Sequence, residues 1–150
     1  MIDPVGLPDT FVRIVLVGSG NLATRTALAL SEAGNPPVQV WSRNAEHAGR
    51  LASMLPGATA TDRAEELICD ADLYLLAVSD HAIESVAASL PSTTGIWAHT
   101  AGSMPMDALR PYHERIGVFY PLQTFSRERR VDYSSVPIYI EGSDEAVVRL

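Results

Sequence analysis

The run Val12-Arg13-Ile14-Val15-Leu16-Val17 leads straight into Gly18-Ser19-Gly20-Asn21-Leu22-Ala23. A β-branched apolar run of this kind is the signature of a strand covered on both faces, since a half-exposed strand would alternate with polar residues. After the turn, Ala23, Ala27 and Leu30 recur at helical spacing until Gly34 and Pro36-Pro37 stop the helix. This strand, turn and helix constrain the chain more than any other feature. Gly18 permits the tight exit from the strand, Gly20 leaves the backbone bare, and Ala23 lets the helix lie close to the sheet. The first-turn N–H groups and the positive end of the helix then face one point above the strand, a place suited to a pyrophosphate.

Strand and helix signals alternate through the rest of the chain. Residues 38–41 form a second strand, and Asn44 caps a helix that runs to about residue 55, where Pro56-Gly57 ends it. A short strand at 58–60 precedes Asp62 and Glu65, which are spaced as a capping box for a short helix. Residues 72–78 form a second buried strand. Asp80 then caps a helix with Ile83, Val86, Ala87 and Leu90 on its inner face. Strands follow at 96–99, 116–120 and 136–140, with a short helix over 106–113. The alternation predicts an α/β fold, a doubly wound, mostly parallel Rossmann sheet with helices on both faces. Residues 1–11 read as a flexible lead and 12–142 as the domain. Residues 143–150 start an amphipathic helix, expected to lead into a further domain.

A formal net charge of −7 over 150 residues argues against nucleic acid or an anionic membrane surface as partner. No apolar run reaches the ~20 residues of a membrane span. Cys69 is the only cysteine, which fits a reducing cytoplasm, and four histidines without ligand spacing predict no metal site.

About 20 residues past the turn, the second strand ends in Ser42-Arg43-Asn44. A carboxylate there would hydrogen-bond the ribose diol of NAD. A hydroxyl and a guanidinium suit the 2′-phosphate of NADP instead, so NADP is favoured over NAD. The expected cofactor-binding set is Gly18, Ser19, Gly20, Asn21, Leu22, Ser42 and Arg43. It is completed by Val78 and Ser79 at the end of the fourth strand, across the crevice. His99 leaves the fifth strand toward the same crevice. It reads equally as a general acid or substrate anchor and as a packed histidine at a strand end. Tyr120-Pro121-Leu122-Gln123-Thr124-Phe125 is either a substrate-facing loop or an ordinary one, and Arg127, Arg129 and Arg130 form a small basic cluster read as solvated.

The motifs G-S-G-N-L-A, W-S-R-N, L-A-V-S-D, H-T-A-G-S and Y-P-L-Q-T-F, in this order, resemble a family of bacterial Rossmann-like proteins that carry a helical C-terminal domain of unknown function. Pyrroline-5-carboxylate reductase, deazaflavin-dependent NADP reductase and prephenate dehydrogenase are its wider relatives. The resemblance covers 12–141 and implies an NADP-binding N-terminal domain, with an all-α second domain that dimerises the full-length protein and closes the site. This chain departs from the family at Tyr120-Pro121, where relatives have His-Pro. Two functions compete. One is the NADP-binding part of an oxidoreductase acting on a small imine, keto or hydroxy compound, and the other is a non-catalytic dinucleotide-binding sensor or assembly module. FAD or a nucleotide sugar is the third possibility for the turn.

Overall fold

Within the run at 12–17, Ile14–Val17 form a fully buried strand, with Val12 and Arg13 half-buried ahead of it, and every other element is arranged about that strand. In the computed structural model, which describes residues 11–126 and 131–150, seven strands make one sheet in the order β3-β2-β1-β4-β5-β6-β7. They are β1 (Ile14–Val17), β2 (Gln39–Trp41), β3 (Thr59–Thr61), β4 (Leu73–Leu76), β5 (Ile96–His99), β6 (Ile116–Pro121) and β7 (Ile138–Gly142). The first six are parallel, and β7 runs antiparallel to β6. The basic cluster at 127–130 and residues 1–10 of the lead lie outside the described residues.

The four α-helices are α1 (Asn21–Glu32), α2 (Ala45–Ala52), α3 (Ile83–Ser89) and α4 (Glu145–Arg149). The chain winds outward from β1 to β3, returns to β4 and winds the other way to β6. Right-handed crossovers in opposite directions put their helices on opposite faces. Ala23, Ala27, Ala48 and Leu51 of α1 and α2 pack on Leu16, Val40 and Leu75. On the other face Ile83, Val86 and Leu109 pack on Val15, Val17, Leu76 and Trp97. Complete burial of Val15, Leu16 and Val17 contributes roughly 1.5–3 kcal/mol per side chain.

Two local expectations hold. Asn44 accepts the His47 N–H at 3.0 Å and opens α2. The helix expected to start within 143–150 forms as α4, and the structure adds its cap, Asp144, which accepts the Val147 N–H at 2.9 Å. Others are replaced by longer-range bonds. The capping box at Asp62 does not form: the segment is a single 3₁₀ turn, Ala64–Glu66, with no side-chain cap. Thr61 Oγ1 takes the Arg63 N–H at 3.1 Å, and Arg63 holds Glu65. Asp80 does not cap α3. Its carboxylate accepts the Ser103 hydroxyl, and a 3₁₀ turn, Asp80–Ala82, leads into the helix. The helix expected at 106–113 is reduced to a 3₁₀ turn, Met106–Leu109.

On the α3 face Trp97 lies between Tyr74 and His113, with ring centroids 4.4 and 3.8 Å away and interplanar angles of 6° and 7°. His113 is buried and neither ring nitrogen has a hydrogen-bond partner. Burial lowers its pKa from 6.5 to about 4; the Ala87 carbonyl offsets this in part without reaching hydrogen-bonding geometry. Above pH 6.5 folded and unfolded chains are both neutral at this position. Below it only the unfolded chain takes up the proton, so stability falls until the pH reaches the folded value. The loss comes to about 3 kcal/mol by pH 4. Urea denaturation from pH 7 to 4 should show this extra loss in the wild type and not in His113→Phe, which keeps a ring on Trp97. Equal pH dependence in the two proteins would contradict it.

Candidate functional site

The glycine turn is wedged between the ends of β2 and β4. The Gly18 N–H donates to the Trp41 carbonyl at 2.8 Å, and Ala77 follows β4 on the other side. Gly18 has φ 124°, and a Cβ there would lie 2.2 Å from the Ala77 carbonyl oxygen. The fold therefore requires this glycine. Gly20 is different. It caps α1 in an extended conformation (φ −78°, ψ −164°) open to any residue, and a Cβ there would meet nothing within 4 Å. The fold gives no reason for its bareness, and the space above it remains to be explained.

That space lies at the start of α1. The helix has no side-chain cap and no acidic residue in its first turn, so the amides of Asn21 and Leu22 keep their capacity for an anion. Ser19 Oγ and Ser42 Oγ lie 2.8 Å apart, joining the turn to the end of β2, and the Asn44 N–H donates to Ser42 Oγ at 3.3 Å. Arg43 is exposed but not free: its Nη2 donates to Ser85 Oγ on α3 at 3.0 Å. A recess of about 260 Å³ is lined by Gly18, Ser19, Gly20, Ser42, Arg43, Val78 and Ser79, with Trp41, Ala77, Ala82 and Val86 as its apolar wall. Asn21 and Leu22 stand beside it on the first turn of α1, with the Asn21 side chain 3.5 Å from the Phe125 carbonyl.

Residue patterning had marked Val86 as an inward helix position but not as part of this wall. Trp41, Ala82 and Ser85 went unrecognised, because nothing local shows that α3 lies over the end of β2. A larger cleft of about 800 Å³ lies between the outer side of α1 and residues 131–134, away from the glycine turn.

His99 is not in the recess. It is fully buried, its Nδ1 accepts the Ala101 N–H at 3.1 Å, and its Nε2 lies 3.1 Å from the Pro105 carbonyl. An accepting Nδ1 requires the proton on Nε2, which donates to Pro105. Both nitrogens thus hold the turn that follows β5, as for a packed strand-end histidine. The crevice side of that turn carries Ser103 against Asp80, and Ser79 Oγ stands 3.5 Å from His81 Nε2. Tyr120 packs on the same turn: a Cβ at Gly102 would lie 2.3 Å from its Cε1.

Residues 13–98 match the family described as NADP oxidoreductase, coenzyme F420-dependent. The chain belongs to that family. Among solved structures, it is similar to a candidate NADP oxidoreductase from Bacteroides fragilis, 37% identical over 92% of this chain and 54% of that one, with a TM-score of 0.81. It shares its fold with a 1-pyrroline-5-carboxylate reductase from Streptococcus pyogenes (15% identity, 92% and 52% coverage, TM-score 0.67). A reductive aminase from Aspergillus terreus in complex with NADPH and ethyl levulinate also shares the fold (20% identity, 77% and 42% coverage, TM-score 0.62). The chain spans about half the length of these solved proteins. No curated protein matches it. Among the described residues, no helix is long and apolar enough to cross a membrane.

Proposed function

We propose that this chain binds NADP in the recess at the glycine turn and is the cofactor-binding part of an oxidoreductase. The observation that carries the reading is Gly20, which opens α1 without a side-chain cap and, lacking a side chain, leaves open the recess it lines. The adenosine half enters the recess against Ala82 and Val86. The pyrophosphate lies over Gly20, on the amides of Asn21 and Leu22. The 2′-phosphate meets the hydroxyls of Ser19 and Ser42 and the guanidinium of Arg43. Arg43 exchanges a bond to the neutral Ser85 hydroxyl for one to an anionic phosphate, the stronger of the two. Val78 and Ser79, which line the recess, would hold the nicotinamide half.

The bound cofactor supplies the hydride, and the residues of this chain bind and orient it. A small imine, keto or hydroxy compound is the substrate class, in keeping with the reductive aminase and the pyrroline-5-carboxylate reductase that share the fold. His99, a candidate acid by sequence, serves in this reading to hold the turn carrying Gly102 and Ser103. A cytoplasmic location suits the single exposed thiol of Cys69, and a homodimer of the full-length protein is carried over from the family resemblance.

Arg43→Glu puts a carboxylate where the 2′-phosphate sits. It should weaken NADPH at least about 30-fold, some 2 kcal/mol, and leave NADH unchanged or tighter, as read by calorimetric titration. Unchanged NADPH affinity would remove the 2′-phosphate from this position.

A further inference from the structure

The register of β4 on β5 sets Leu76 beside His99. Four residues past each of them stand Asp80 and Ser103. Parallel neighbours leave the sheet at the same end, so the two turns run side by side, at the carboxyl ends where open α/β sheets hold their ligands. There the Ser103 hydroxyl donates to the Asp80 carboxylate, and both residues are exposed.

The turn that carries Ser103 is fixed from beneath. His99, fully buried, spends both ring nitrogens on it: Nδ1 accepts the Ala101 N–H and Nε2 donates to the Pro105 carbonyl. Buried Thr100 donates through Oγ1 to the Leu76 carbonyl at 3.1 Å and ties the turn back to β4. Gly102 sits against the Tyr120 ring, where a Cβ would collide with it. Buried polar groups that lock a surface turn are the support expected under a side chain that must be placed accurately. Asp80 likewise forgoes the cap of α3, which has none from a side chain, and reaches across to Ser103.

We propose that Asp80 and Ser103 form the subsite for a primary carboxamide, that of the nicotinamide ring. The proposal rests on the binding of NADP put forward above and extends that site past Ser79. The recess measures about 260 Å³. A drug-sized ligand fills roughly 300–1,000 Å³ and a dinucleotide is no smaller, so part of it extends beyond the recess. With the adenosine half against Ala82 and Val86, the other half leaves by Val78 and Ser79, and Asp80 is the next residue. A donor bonded to an acceptor is matched by a ligand group that carries one of each. A primary amide does so: its NH2 donates to the carboxylate while the Ser103 hydroxyl turns to its carbonyl, and every group keeps a hydrogen bond. A carboxylate or phosphate in this place would face the Asp80 charge, so the anionic end of a substrate is turned away from it. Both residues orient the ring, and neither enters the hydride step.

Calorimetric titration of three probes into the 150-residue chain tests this. They are NADPH, adenosine 2′,5′-bisphosphate, which lacks the nicotinamide half, and the reduced 3-acetylpyridine analogue of NADP, in which a methyl replaces the amide nitrogen. Ser103→Ala should weaken NADPH about fivefold and Asp80→Ala at least about tenfold, with Tm and the affinity for adenosine 2′,5′-bisphosphate unchanged. The analogue keeps the acceptor and loses the donor. The wild type should bind it at least about fivefold more weakly than NADPH; Asp80→Ala should remove that difference and Ser103→Ala should retain it. Unaltered NADPH binding in both variants overturns the proposal. So does a loss shared equally by adenosine 2′,5′-bisphosphate, which would make the pair a tie between two turns and no more, or an analogue penalty that survives Asp80→Ala. A wild type that binds adenosine 2′,5′-bisphosphate as tightly as NADPH overturns it while leaving the adenosine half of the site in place. A wild type that binds neither removes both.

Discussion

Gly18→Ala should cost the domain about 4 kcal/mol or more, lowering Tm by at least about 10 °C or removing a cooperative transition. Two effects add. At φ 124° the backbone is in a region that side chains rarely adopt, worth about 1–3 kcal/mol. The new Cβ would also lie 2.2 Å from the Ala77 carbonyl oxygen and 2.8 Å from its carbon. Neither can retreat cheaply. The Ala77 N–H donates to the Val17 carbonyl at 2.8 Å, so moving Ala77 pulls on the β1–β4 ladder. Moving Gly18 breaks its bond to Trp41 and loosens β2. Since domains are stable by only about 5–15 kcal/mol, such a loss takes much of the total. Thermal and urea denaturation read it directly, and a Tm within a few degrees of the wild type would show that the turn is not pinned as described.

Gly20→Val should do the reverse, leaving the fold and abolishing the cofactor site. The backbone at Gly20 suits any residue and a Cβ there touches nothing. Valine caps a helix less well than glycine, a cost of about 1 kcal/mol at most. The branched side chain would stand where the pyrophosphate approaches the amides of Asn21 and Leu22. NADPH affinity should fall at least about 100-fold, close to 3 kcal/mol. Two glycines two positions apart would then separate cleanly, one serving the fold and one serving the ligand. If Gly20→Val bound NADPH normally, the space over the turn would belong to something else.

The elements that sequence patterning located best are those whose partners are near in the chain. The two-sided burial of Ile14–Val17 forces a continuous apolar run, so β1 was legible. The Asn44 cap was legible because its bond to His47 spans three residues. The failures share a cause. Asp80 was available to its own helix but is taken by Ser103, 23 positions on. Arg43 reads from sequence as poised for phosphate, and it bonds Ser85, 42 positions on. In each case the fold brings together segments that are distant in sequence, and a partner from another element takes the group. His99 shows the same limit. Its position at the end of β5 was legible, but the Pro105 carbonyl that occupies its Nε2 was not.

In the proposed reading, Gly18 fits the turn to the sheet and Gly20 leaves it open for NADP. The most direct measurement is a calorimetric titration of NADPH and NADH into the wild type and Gly20→Val, with Tm recorded for both. The wild type should bind NADPH at least about tenfold more tightly than NADH, and Gly20→Val should keep its Tm within a few degrees while losing that binding. A wild type that binds neither nucleotide at millimolar concentration, or a Gly20→Val protein that binds NADPH as the wild type does, would contradict it.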